Sequence, residues 1–219
     1  MILAAGRGER LGAPVGKALV ELAGKPLLRW SAEAFVASGA VDEVVMVTRP
    51  GEEAAVGAAL EGLGLPWRVV PGGARRQDSS LSGISAAAGE YVLVHDAARP
   101  LVGPDLIRAV LEAAIRHGAA VPVIPVRDTL RYAADGFLRA EGPERADLYA
   151  VQTPQGFRRG LIRAALEDAV RRGLALTDDA GAVLLAGGRV AVVPGEARNL
   201  KVTYPEDLEL ARALLARRG

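Results

Sequence analysis

Short β-branched runs recur along this chain with amphipathic stretches between them, and this alternation restricts the fold more than any other feature. The runs are residues 44–47, 67–70, 91–94, 120–124 and 190–193. Each is almost continuously apolar, as parallel strands covered on both faces are, rather than alternating as strands with one wet face do. Helical patterns fill the intervals at 27–37, 52–63, 105–116, 161–170 and 206–215. In the stretch 105–116, Leu106, Val110, Leu111 and Ala114 share one side. Pro205 opens the last helix, with Glu206 and Asp207 in its first turn, where the helix dipole favours acidic groups. The alternation predicts a single α/β domain over residues 1–219, a Rossmann-like open and mainly parallel sheet flanked by helices. Only three residues precede Ala4, so the first strand is expected to be short.

A chain of 219 residues buries roughly 70% of its unfolded surface and needs no disulfide staples. It has no cysteine, which excludes thiolate metal sites and a cysteine nucleophile. A net charge of +1 gives no basic footprint for nucleic acid or a membrane surface. No stretch is long and apolar enough to span a bilayer, and the first residues lack the pattern of a signal peptide. The expectation is a cytoplasmic enzyme with neither a nucleic-acid nor a membrane partner.

One segment breaks the alternation. Within residues 127–149, Asp135-Gly136 is a hairpin turn signal between residues 129–132 and 137–140. It predicts a β-arm projecting from the domain, available for contacts in a dimer.

The amino-terminal loop runs Leu3-Ala4-Ala5-Gly6-Arg7-Gly8-Glu9-Arg10-Leu11-Gly12 and reaches Gly16-Lys17. Small residues and glycines after a strand let backbone N–H groups approach a phosphate chain, while Arg10 and Lys17 supply charge. The loop is neither a dinucleotide fingerprint nor a P-loop. Leu11 occupies the third glycine position of the first and the leading glycine position of the second, and Ala18 follows Lys17 where a P-loop needs Ser or Thr.

The string Leu-Ala-Ala-Gly-x-Gly-x-Arg followed by Lys17 resembles the signature loop of sugar nucleotidyltransferases. Five further segments narrow the resemblance: residues 72–79 (Gly-Gly-Ala-Arg-Arg-Gln-Asp-Ser), 95–100 (His-Asp-Ala-Ala-Arg-Pro), 125–129, 152–155 (Gln-Thr-Pro-Gln) and 199–203 (Asn-Leu-Lys-Val-Thr). In this order, over essentially the whole chain, they resemble the 2-C-methyl-D-erythritol 4-phosphate cytidylyltransferase family. The chain differs from the family pattern in having Leu3 for a proline, Gly16-Lys17-Ala18 for Pro-Lys-Gln, and Ala74 for an acidic residue.

The resemblance implies transfer of CMP from CTP to a small phosphorylated polyol, with pyrophosphate released. It assigns Arg10 and Lys17 to catalysis as stabilisers of the triphosphate and transition state. Ala4, Ala5, Gly6 and Gly8 match the nucleotide loop, Gly73 and Ser79 the cytosine pocket, and Asp96 with Ala97 the nucleotide-facing strand end. Asp96, Arg99, Thr129, Thr177 and Lys201 match positions around the acceptor. Arg145 and Thr153 match acceptor contacts delivered by the arm of a second subunit, which implies a homodimer with shared sites. The cofactor implied is Mg²⁺, with Asp96 as the first candidate to help hold it. A cytidylyltransferase for another polyol phosphate such as ribitol phosphate, and a catalytically silent nucleotide-binding module, remain open alternatives. His95 reads as structural, Asp178-Asp179 as a helix start rather than a metal site, and Trp30 and Trp67 as packing residues.

Overall fold

The computed structural model describes residues 1–6, 8–12 and 16–217. Arg7 and residues 13–15 of the glycine-rich loop lie outside the described residues, as do 218–219. The amino-terminal half contains β1 (Ile2–Leu3), a small hairpin of β2 (Glu21–Leu22) and β3 (Lys25–Pro26), α1 (Leu27–Ser38), β4 (Val44–Thr48), α2 (Glu53–Leu60), β5 (Trp67–Pro71), α3 (Arg76–Ala86) and β6 (Tyr91–Asp96). Then come α4 (Pro104–His117), β7 (Ala119–Pro125), the arm strands β8 (Ala133–Ala134) and β9 (Phe137–Leu138), β10 (Tyr149–Val151), β11 (Gln155–Arg158), α5 (Arg159–Arg171), α6 (Asp179–Leu185), β12 (Ala191–Pro194) and α7 (Pro205–Ala216).

The main sheet has the order β10-β7-β11-β6-β1-β4-β5, with β12 also paired to β7. β1 lies parallel between β4 and β6, β4 is parallel to β5, and β12 is parallel to β7. The mainly parallel α/β sheet read from the sequence is therefore present, and all five predicted strands and all five predicted helices occur. The second helix stops at Leu60 rather than 63.

Residues 149–158 add what periodicity does not reveal. β10 and β11 both run antiparallel to β7, and β11 inserts between β7 and β6. Helix α3 is also hidden from a periodicity reading, because its sequence Arg-Gln-Asp-Ser-Ser-Leu-Ser-Gly-Ile-Ser-Ala has almost no apolar stripe. Its small residues serve close approach instead. A Cβ on Gly83 would lie 2.5 Å from Met1 Sδ and 2.6 Å from Val47 Cγ2.

Two apolar cores cover the sheet, and adjacent strand residues divide between them because strand side chains alternate faces. Met46 and Leu93 join Phe35, Leu60, Ile107 and Val110 on the α1, α2 and α4 side. Val45, Val92 and Val94 join Ile84, Phe157, Ile162 and Leu166 on the other. A smaller cluster of Leu11, Leu22, Leu27, Leu101, Val202 and Ala211 ties the amino-terminal loop to the 199–202 segment. Leu11, which breaks both phosphate-motif patterns, is thus an anchor of that loop.

In the arm, the turn sits at Asp135-Gly136, with φ of 53° and 82°, as a tight two-residue hairpin requires. The strands are shorter and closer to the turn than the sequence predicts, pairing only Ala133 with Leu138 and Ala134 with Phe137. Phe137 and Leu138 are largely exposed, with Tyr132 and Leu130 beside them in the chain also exposed.

Candidate active site

An open α/β sheet binds ligands beyond the carboxyl ends of its strands. Here a cleft of about 620 Å³ opens at those ends, lined by residues following β1 (Ala4, Ala5, Gly6), β4 (Arg49, Pro50), β5 (Gly73, Ala74) and β6 (Ala97, Ala98). Lys17, Ser79, Asp96 and Lys201 complete it with Arg75 and Arg76. This volume lies within the roughly 300–1,000 Å³ of small-molecule sites.

The cleft is rich in cations. Burial, and then repulsion from Lys201 and Arg10, hold the Lys17 ammonium down to about 8. Gly8 adopts a left-handed φ of 71°, and a Cβ there would lie 2.6 Å from the Lys17 Cβ. The loop thus needs glycine at this position both for its turn and for the close approach of Lys17. Gly73 is similarly constrained, since a Cβ would meet Asp78 Cβ at 2.4 Å. The buried Ser79 hydroxyl accepts from Gly73 N–H at 3.1 Å and so holds the pocket loop against α3.

Asp96 ends β6 at the centre of the cleft. Burial alone would raise its carboxyl, but Lys201, Arg76 and Arg99 outweigh it and hold the group well below the usual carboxylate range. Lys201 Nζ donates to Oδ2 at 2.7 Å, while Arg76 Nη2 reaches Oδ1 at only 3.5 Å.

Behind Asp96 lies a fixed polar scaffold. Thr153 Oγ1 accepts from Asp96 N–H at 3.1 Å and lies 3.0 Å from His95 Nδ1. His95 Nε2 faces the Arg99 carbonyl oxygen at 3.2 Å. A carbonyl only accepts, so Nε2 carries the proton and Nδ1 accepts from the threonine hydroxyl. Burial pushes His95 down to about 3, so the ring is neutral with both nitrogens occupied. It is a structural residue, as its sequence context suggests.

The Gln-Thr-Pro-Gln segment follows the same logic. Gln152 Nε2 donates to Glu196 O at 2.9 Å, and Asn199 Nδ2 donates to Thr153 O at 2.8 Å. These bonds fasten the segment carrying Lys201 to the sheet. Gln155 donates to Asp178 Oδ2 and accepts from Ala180 N–H, both at 2.9 Å, fixing the start of α6. Asp178 is the N-cap of that helix, accepting from Gly181 N–H at 3.0 Å.

The expected site residues do not all converge. Ala4, Ala5, Gly6, Lys17, Gly73, Ser79, Asp96, Ala97 and Lys201 line one cleft. Arg10 is close enough to depress Lys17, but its guanidinium stacks over the Tyr204 ring at 5.6 Å. Arg99 donates to Asn199 O at 2.7 Å, beneath the cleft rather than in its lining. Thr177 is exposed just before α6. Thr129 and Arg145 are exposed on the arm, where Arg145 donates to Arg127 O at 3.0 Å. Thr153 requires a correction: it is buried under Asp96 of its own chain, after β10, and is not an arm residue. It lies only a few residues beyond 149, and a local pattern does not reveal the return of the chain into the sheet at β10.

Sequence reasoning also leaves Arg49, Arg75 and Arg76 without roles. Arg75 caps α3 through Asp78, whose Oδ1 it meets at 2.9 Å, and Arg76 turns into the cleft. The helix start at Arg76 separates the two, and only recognition of α3 as a helix would have found it.

The chain as a whole resembles known proteins. The family described as IspD, 2-C-methyl-D-erythritol 4-phosphate cytidylyltransferase, matches residues 1–217. The chain belongs to this family. The 2-C-methyl-D-erythritol 4-phosphate cytidylyltransferase of Pelotomaculum thermopropionicum is 44% identical, covering 100% of this chain and 94% of the relative. The crystal structure of the enzyme of that name from Thermus thermophilus superposes with a TM-score of 0.83 at 41% identity, covering 99% of this chain and 98% of that one. A bifunctional enzyme IspD/IspF of an Anaeromyxobacter species is 47% identical over 98% of this chain, but the chain spans only 56% of its length. The match is thus to the cytidylyltransferase family along essentially the whole chain.

Among the described residues no group of three or more His, Asp or Glu side chains could cage a metal. A single cleft carboxylate would fit Mg²⁺, which keeps several waters and takes one or two carboxylates plus substrate phosphates. Asp96, whose Oδ1 is met by Arg76 only at 3.5 Å, would be the residue to hold it. Among the same residues no helix is long and apolar enough to cross a membrane.

Proposed function

We propose that this chain transfers CMP from CTP to 2-C-methyl-D-erythritol 4-phosphate, in non-mevalonate isoprenoid precursor synthesis, as a cytoplasmic enzyme. The observation that carries the reading is the cleft itself: a glycine-lined strand end, Lys17, Lys201 and Arg76 around one carboxylate, in a chain of this family.

The chemistry needs no protein base. A phosphate monoester, with a second pKa near 6, is already ionised at neutral pH. One of its oxygens attacks the α-phosphorus of CTP, a new P–O bond forms, and the bond to the bridging oxygen breaks as pyrophosphate leaves. His95 is unsuited to accept a proton, since both ring nitrogens are engaged and its pKa is about 3. The obstacle is charge, because two anions must meet in line. Lys17 faces the triphosphate and the developing charge on the α-phosphoryl oxygens, with Arg10 behind it. Lys201, turned by Asp96, orients the acceptor phosphate. Asp96 would help hold Mg²⁺, which would supply further neutralisation of the triphosphate charge.

Arg145 enters this reading from a partner's arm, in a homodimer, which the exposed Phe137 and Leu138 support. Sedimentation is expected to give a dimer; a fully active monomer would remove the shared site. Turnover with ribitol 5-phosphate exceeding that with 2-C-methyl-D-erythritol 4-phosphate would move the acceptor to the sister polyol.

Lys17 gives this reading a pH signature. It is near half-protonated at pH 8 in the free enzyme, and a triphosphate alongside restores its affinity for a proton. CTP binding at pH 8 is therefore expected to take up a substantial fraction of a proton, and kcat/KM for CTP to fall as pH rises through about 8. Calorimetry in two buffers of different ionisation enthalpy measures the uptake. Identical heats in both buffers would place Lys17 away from the triphosphate.

A further inference from the structure

Asp179 is fully buried at the start of α6, and burial pushes its carboxyl above the usual carboxylate range even though Arg76 Nη1 lies 2.8 Å from its Oδ2. A carboxylate so placed is costly, and a buried ion pair of this kind is weak evidence for a stabilising role. Yet its position is closely fixed. Gln155 holds Asp178 and Ala180 on either side of it. Gln77, next to Arg76, donates to Leu174 O at 2.8 Å and accepts from Leu176 N–H at 3.0 Å, holding the approach to the same helix.

Arg76 connects this buried group to the cleft. One edge of its guanidinium meets Asp179, and the other points at Asp96 from 3.5 Å. Lys201 takes the second oxygen of Asp96 at 2.7 Å. Charges thus alternate from interior to cleft as Asp179, Arg76, Asp96, Lys201. A guanidinium is a planar fork that pairs strongly when both prongs meet one carboxylate. Without Asp179, nothing in this arrangement would stop Arg76 from closing fully onto Asp96.

We propose that Asp179 is a positioning residue for the transfer reaction: it holds Arg76 back, so that the Asp96 carboxylate stays turned to Lys201 and open to the cleft. This rests on the cytidylyltransfer reading for its kinetic consequence but not for its geometry. With Asp179→Asn, Arg76 closes onto Asp96, Lys201 loses its partner, and the acceptor is misaligned.

The test combines a structure with a double-mutant cycle. In crystals of Asp179→Asn, the Arg76–Asp96 contact is expected to shorten from 3.5 Å to hydrogen-bond length and Lys201 to leave Oδ2. An unchanged Arg76–Asp96–Lys201 arrangement overturns the proposal whatever the turnover, so its failure is distinct from failure of the reaction assignment, which wild-type turnover tests. In kinetics, Asp179→Asn is expected to lower kcat about 10–100-fold, with KM for CTP within about threefold of wild type. Adding Arg76→Gln to it is expected to cause no further loss, because the guanidinium that closes onto Asp96 is then gone. Losses that multiply, or a lower Tm with unchanged kcat, reduce Asp179 to a structural residue. If Asp179→Asn does not fold, Asp179→Glu decides. It keeps the ion pair with Arg76 but carries the fork nearer to Asp96, so kcat falls at least about tenfold at unchanged Tm if the proposal holds, and stays at the wild-type value if it does not.

Discussion

Lys17→Ala is expected to lower kcat about 10²–10³-fold, a loss of roughly 3–4 kcal/mol of transition-state stabilisation, while the protein stays folded. The magnitude follows from position. Lys17 is partly buried at the cleft wall, held beside Gly8, with Lys201 and Arg10 near enough to depress its pKa. A charge in such a desolvated setting interacts more strongly with a triphosphate than a surface lysine does. The fold is expected to survive, because removing Lys17 relieves repulsion among cations in the free enzyme. Steady-state kinetics with circular dichroism checks both parts. Near-normal turnover in folded protein would remove Lys17 from the chemistry.

Asp96→Asn is expected to have an effect of similar size with a different signature. The substitution keeps the shape but removes the anion that Lys201 and Arg76 share. The cleft becomes more positive, so CTP binding is not weakened, while kcat falls about 10²–10³-fold because acceptor and cations lose their common orienting group. Asp96 also favours the protonated form of Lys17. In Asp96→Asn the alkaline limb of kcat/KM for CTP is therefore expected to move to lower pH. A kcat within threefold of wild type, or an unmoved alkaline limb, would contradict this role for Asp96.

The fold is legible where burial repeats along the chain. Strands β4, β6 and β7 are covered on both faces and read as apolar runs, and α4 carries a clear stripe. It is illegible where contact geometry replaces hydrophobicity. Helix α3 packs through Gly83 and serines rather than leucines. Strand β11 enters the sheet as Gln-Gly-Phe-Arg, with Gly156 at 3.0 Å from Ala114 and Val110 for any added Cβ. The same division holds at the site. The glycine-rich loop with Lys17, and the strand-end Asp96, can be read from residue types in order. Arg76 and Asp179 cannot, since their pairing joins α3 to α6 across about a hundred residues and needs both helices to be known. Thr153 reads as an arm residue because the point at which the chain rejoins the sheet is set by pairing with β7, which a local pattern does not contain.

The most direct test is pyrophosphate release by the wild-type protein with CTP and Mg²⁺, with and without 2-C-methyl-D-erythritol 4-phosphate, and with UTP, ATP and GTP in place of CTP. Release that requires the acceptor and favours CTP is the predicted result. Folded protein that releases no pyrophosphate under these conditions, or releases it equally without the acceptor, would contradict the proposed reaction.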